Sequence, residues 1–215
     1  MFKNLLRFAL ILALVFGSFF AYQVITFDPS NETYVLGPEL IMLIRESQPN
    51  YTKLKDMPEH FYTMVVAVED KRFYRHYGFD LISIAKAVKR NVAEGSYAAG
   101  GSTITQQLAK NLFYSQEKRL TRKIYELWTA IQLERLFSKE EILEMYINVI
   151  YYGQDAYGVS SAARVYFDKK PSELTLEESA LLVGILPAPS VFNPIANPEL
   201  AKERQNNVLW IYDNR

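Results

Sequence analysis

Val68-Glu69-Asp70-Lys71-Arg72-Phe73-Tyr74-Arg75-His76-Tyr77-Gly78-Phe79-Asp80 is the stretch on which the reading of this chain turns. Two adjacent acids close an apolar run. Aromatic residues, a histidine, a glycine and a third acid then follow within ten residues. Just upstream, Phe61, Met64, Val65 and Val68 recur at helical spacing and mark the core face of a helix. Asp56 is its expected N-cap, with Glu59 three residues on and Pro58 in the first turn. Glu69 and Asp70 therefore stand at the C-terminal end of that helix, where its dipole disfavours negative charge by roughly 0.3–1 kcal/mol. Two readings follow. Either both acids are solvated or paired with Lys71, Arg72 or Arg75, or Glu69 is part-buried on a cleft wall with a raised pKa.

Downstream, Gly78-Phe79-Asp80 makes a turn, and Asp80 caps a helix running to about Glu94, with Gly95 as its stop. Leu81, Ile84, Ala85, Val88 and Val92 lie along one side of this helix. Lys86, Lys89 and Arg90 lie towards another, as a solvated face or one that attracts anionic headgroups near a membrane. The run from Ala98 to Asn111 puts glycines before a helix start, which presents free N–H groups and suits an anion. On its own that signal is weak. It is sharpened by Thr103, Gln106, Gln107, Lys110 and Asn111, crowded into little more than two turns.

Leu120–Val149 is the clearest helical region, with an apolar stripe at Ile124, Leu127, Trp128 and Ile131. Arg122 and Glu126 share a face, and as a surface pair they would contribute about 0.3–0.5 kcal/mol. Ser138 and Glu141 form a capping-box pattern that opens a new helix with Ile142, Leu143, Tyr146 and Ile147 inward. Thr175 with Glu178 caps another to about Ile185, Pro187-Ala188-Pro189 ends it, and a last helix lies near Leu200–Tyr212. Strand signal is poor, so the domain is predicted to be mainly α.

Composition narrows the function. At 215 residues, 49% hydrophobic and 22% charged, the chain supports one ordinary core with room for a small second lobe. A formal charge of zero gives no bulk electrostatic case for nucleic acid. The absence of cysteine excludes disulfides and thiolate chemistry, and with His60 and His76 alone no Cys/His zinc site is possible. A hard cation on carboxylates remains open. The many Tyr and Phe suggest aromatic surface in a groove or at a membrane interface.

Phe8–Phe27 carries no charge and, as a helix, spans about 30 Å, one hydrocarbon core. Lys3 and Arg7 precede it, and Asp28 and Glu32 follow, which places the N-terminus in the cytoplasm and the rest outside. The rival is a cleaved signal peptide, which Phe19-Phe20-Ala21 fits badly. The expected organisation is a cytoplasmic N-terminus at 1–7, a transmembrane helix at 8–27, a linker at 28–56 and a catalytic domain at 57–215.

Taken in order, these motifs resemble the family 51 glycosyltransferases, the peptidoglycan polymerases of bacteria. Glu69–Asp80 resembles the family's first motif and Gly100–Asn111 its second. Arg122-Lys123 with Glu126, Ala130, Leu133-Glu134, Lys139, Ile142-Leu143-Glu144, Tyr146 and Asn148 resembles the third. Ala156–Val159, Ala162-Ala163, Tyr166–Lys169 and Leu174–Pro189 resemble the later ones. Gln154-Asp155, where the family often carries glycine, and Ile147, in place of a common leucine, are small departures. The chain ends soon after the motifs, which makes the resemblance one to the monofunctional class without a transpeptidase domain, unless the chain is a fragment.

The resemblance implies a lysozyme-like, two-lobed fold behind one N-terminal transmembrane helix in the bacterial inner membrane. It implies inverting transfer from a lipid-linked glycan to lipid II, with undecaprenyl pyrophosphate leaving. By motif position Glu69 is the general base and Glu126 the second catalytic glutamate. Lys110 and Arg122 would meet the pyrophosphate. Asp70, Phe73, His76, Thr103, Gln107, Asn111 and Lys169 would complete the substrate-binding set, with a packed, turn-stabilising role open for His76. A divalent cation, Mg or Mn, is a candidate at the pyrophosphate beside Glu126, and no organic cofactor is expected. Expected partners are lipid II, the growing strand, the membrane and other cell-wall synthesis and division proteins, with no nucleic acid. Leu112, Phe113 and Tyr114 beside Lys118 and Arg119 would form an interfacial segment, or pack internally. Two other readings stay in play: a glycan-cleaving enzyme that also uses a glutamate, and an inactive membrane-anchored scaffold.

Overall fold

The computed structural model describes residues 35–95, 100–114 and 120–215, with Gly17, Ser18 and Tyr22 besides. The expected span at 8–27 lies outside the described residues apart from those three, and Lys118 and Arg119 lie outside them too. Among the described residues no helix is long and apolar enough to cross a membrane. Those residues are mainly helical, with an isolated antiparallel bridge between Tyr151 and Tyr157 and no strand.

Helix α1 spans Leu40–Ser47 and α2 spans Glu59–Glu69. The expected cap at Asp56 is not where α2 begins. Leu54–Asp56 form a 3-10 turn, Met57 is extended (φ −110°, ψ 152°) and Pro58 is the N-cap. A proline disfavours the helical conformation in the residue before it, so the helix cannot run back through Met57. Helix α3, Leu81–Glu94, opens where the Asp80 carboxylate accepts from Ile82 N and closes at Gly95, whose φ is +61°. Its predicted apolar side faces largely outward: Leu81, Val88 and Val92 are exposed, and only Ala87 is buried.

Helix α4, Ile104–Phe113, begins in a full capping box between Thr103 and Gln106. Leu120–Leu136 forms α5 and Lys139–Val149 forms α6, which starts at the expected Ser138–Glu141 box. Val159–Phe167 is α7. Helix α8, Leu176–Ile185, carries the Thr175–Glu178 box, and α9 spans Pro198–Asp213. The three boxes each satisfy two N–H groups that a helix start otherwise leaves open.

Helix α4 packs against α5 and α6, while α2 packs against α8 and α9. Phe61, Met64, Leu108, Leu133, Ile142 and Leu182 are wholly buried where these layers meet. Burial of each such side chain contributes roughly 1.5–3 kcal/mol. Leu112 and Phe113 belong to this core and do not form an interfacial patch; Tyr114 is half-buried and its hydroxyl pairs with Thr129 at 2.7 Å. Apolar side chains on a helix with one face against α5 and α6 are drawn inward by the same burial.

The linker ahead of α2 is bound to α6. Glu144 accepts from Arg45 Nη2 at 2.6 Å, Tyr51 Oη at 2.9 Å and Leu54 N at 2.8 Å. One turn later Asn148 accepts from Thr52 N and donates back to Thr52 O. Burial, with Glu144 alongside, pushes the Tyr51 phenol well above its ordinary range, so it stays a donor.

Candidate active site

The opening stretch is held in place before it is used. After Glu69 the backbone leaves the helix at Asp70 (φ −155°, ψ 75°), and Phe73–Arg75 make a 3-10 turn. Phe73 is wholly buried, with Lys139 Nζ 4.4 Å from its ring centre. Gly78 adopts φ +88°, and a Cβ there would lie 2.9 Å from the backbone carbon of Ala130 on α5. Its carbonyl accepts from Thr103 Oγ1 at 2.7 Å. The motif is thereby pinned to α5 and to the start of α4. Gly78→Ala is expected to destabilise the fold by about 1–3 kcal/mol, from left-handed strain and backbone overlap together. A urea titration of the variant would read this as a lower midpoint at unchanged slope.

Glu69 ends α2 facing α4. Its Oε2 accepts from Gln107 Nε2 at 2.9 Å, and Gln107 Oε1 accepts from Tyr146 Oη at 3.1 Å. Tyr146 is 1% exposed, and burial raises its pKa far above the ordinary value. It therefore stays protonated and fixes which end of the Gln107 amide faces Glu69. Burial pushes the Glu69 carboxyl above its ordinary pKa. The Gln107 bond and the Arg204 charge pull it back, and Asp70 adds a further upward push.

Glu69 opens into a cleft of about 870 Å³. Towards α3, α4 and α5 its lining is polar and basic, with Arg90, Ser102, Lys110, Asn111, Lys123 and Glu126. Towards α8 and α9 it is formed by Leu186, Pro187, Pro189, Phe192 and Arg204. Glu126 is 1% exposed and carries two cations. Lys123 Nζ donates to its Oε2 at 2.9 Å and to Ser102 Oγ at 2.8 Å. Arg122 Nε stands 2.8 Å from Oε1, within ion-pair range but off the hydrogen-bond direction. Arg204 reaches the cleft past Gly184, where a Cβ would come 3.1 Å from its Cγ.

Of the residues expected at the site, Glu69, Gln107, Lys110, Asn111 and Glu126 line the cleft together. Asp70, Phe73, His76 and Thr103 are buried behind its wall. Arg122 pairs with Glu126 and Lys169 pairs with Glu178 at 2.6 Å, and neither is among the residues lining the cleft. Lys123, Tyr146, Arg90 and Arg204 are cleft residues that the sequence reading did not assign to the site. Lys123 had a signal, since three residues before Glu126 on a helix means a shared face. Arg204 had none, because only the packing of α9 on α8 and α2 brings it to Glu69.

Among the described residues no three ligating side chains gather, and both oxygens of Glu126 face cations. The described residues thus offer no ready-made seat for a protein-held divalent cation.

A glutamate whose pKa burial raises, in a cleft otherwise rich in cations, has the chemistry of a general base beside an anion-binding lining. Residues 38–212 match the transglycosylase family, and the chain belongs to it. The chain is 49% identical over 176 residues to penicillin-binding protein 1A of Neisseria gonorrhoeae, covering 82% of this chain and 22% of that protein. It is 48% identical over 171 residues to penicillin-binding protein 1A of Vibrio cholerae, covering 80% and 21%. The chain thus spans about a fifth of the length of these relatives. The mainly helical fold agrees with the family.

Proposed function

We propose that this chain polymerises lipid II into β-1,4-linked glycan at the outer face of the bacterial inner membrane. Glu69 takes the proton from the acceptor GlcNAc 4-hydroxyl as that oxygen bonds to the anomeric carbon of the donor MurNAc. The anomeric bond to the pyrophosphate breaks, its electron pair leaves with undecaprenyl pyrophosphate, and configuration inverts. Lys110 and Lys123 stabilise the departing charge, and Glu126, itself paired with Arg122, holds Lys123 in place. The apolar stretch at 8–27 anchors the domain where both lipid-linked reactants diffuse, in the lysozyme-like, two-lobed arrangement of the family.

The observation that carries this reading is the Tyr146–Gln107–Glu69 chain in one cleft with Lys110 and Lys123. A base alone would also suit glycan cleavage; the cations suit a pyrophosphate. Purified full-length chain incubated with lipid II is expected to give lengthening glycan and to leave preformed glycan uncut. Shortening of preformed glycan would mark a lytic enzyme, and no reaction a scaffold. Runs with and without chelator read out any divalent-cation requirement.

A further inference from the structure

We infer that Asp70, clasped between His76 and the first backbone N–H of α4, is a positioning residue that holds Glu69 against Gln107. The inference rests on the reading of Glu69 as general base. Asp70 Oδ2 accepts from His76 Nε2 at 2.8 Å and from Ile104 N at 3.1 Å. Its side chain is 3% exposed and does not line the cleft, so it has no route to substrate. The neighbouring Glu69 reaches Gln107, one turn further along the same helix. The acid pair closing α2 therefore grips the first turns of α4 at two points. Asp70 takes the positive end of the helix, and Glu69 takes a side-chain amide.

The grip matters because the two helices have different principal packing partners. Helix α2 lies on α8 and α9, and α4 lies on α5 and α6. The Asp70 clasp ties the two sets together directly beside the base and its amide. His76 gives its side-chain hydrogen bond to the clasp: its ring packs edge-on against Phe73, and its Nδ1 is buried without a hydrogen-bond partner among the described residues. Asp70 also brings a fixed negative charge beside Glu69. The other groups facing Glu69 are Arg204 from α9, Tyr146 from α6, Tyr152 just beyond it and Lys110 from α4. Lys123 and Glu126 face it from α5 across the cleft.

Asp70→Ala and Asp70→Asn in the full chain test this by kcat, KM and the acid limb of the pH–rate profile on lipid II. Asp70→Ala frees α4 and is expected to lower kcat about 10²-fold, the scale of a misplacement near 1 Å, with KM unchanged within about twofold. Asp70→Asn keeps an oxygen for both donors and is expected to recover most of that loss. Its acid limb should lie at lower pH, because the charge that raised Glu69 is gone. A raised KM at unchanged kcat would overturn the inference, since Asp70 would then touch substrate. Equal losses in both variants with an unmoved limb would also overturn it, leaving only support of the fold. If Asp70→Ala fails to fold, the limb and the kcat–KM split of Asp70→Asn decide alone. Full activity of a Glu69→Gln control would instead strike down the reading of Glu69 as base.

Discussion

Glu69→Gln is expected to lower lipid II polymerisation by about 10²–10⁴-fold, the range a positioned general base supplies. The amide matches the carboxyl in shape and keeps an oxygen for Gln107 Nε2, but it cannot take the hydroxyl proton. Stability should not fall. The folded pKa of Glu69 is raised, chiefly by burial, so the charged form opposes folding above that pKa. Removing the charge relieves the opposition, and the urea midpoint at neutral pH should equal or exceed that of the native chain. The same shift sets the native acid limb: a base must be deprotonated, so the rate declines on acidification at a higher pH than for an ordinary glutamate. A rate undiminished by the substitution would sink the assigned role.

Lys110→Met is expected to cost about 10²–10³-fold in kcat, the loss typical of one preorganised group that meets developing charge. Lys110 sits one turn beyond Gln107 on α4 and lines the cleft. It has no ion-pair partner among the described residues, whereas Lys123 is bound to Glu126 and Ser102. A cation free to meet a pyrophosphate stabilises it more than one already neutralised. Lys110→Arg should retain part of the activity, and Lys123→Ala should be milder than Lys110→Met. The reverse order in single-turnover rates would move the leaving-group contact to Lys123.

Local signals carried most of the helices. The boxes at Ser138 and Thr175 lie where the sequence places them, because a cap is settled among four neighbouring residues. Asp56 failed for an equally local reason: the Pro58 ring excludes Met57 from the helix. The site was only partly legible. Residues that face substrate and residues that hold those residues share one motif, and spacing cannot separate Glu69 from Asp70. Burial does, placing one carboxylate in the cleft and the other behind it. Arg204 joins Glu69 through tertiary packing alone, and no periodicity marks such a meeting.

The clasp of Glu144 and Asn148 makes the segment ahead of α2 a working part of the domain. Leu40 and Ile44 of α1 are wholly buried, and Arg45, Tyr51, Thr52 and Leu54 bond to α6. A pull applied ahead of α1 is therefore borne first by α6, before it reaches α2 and the acid that closes it.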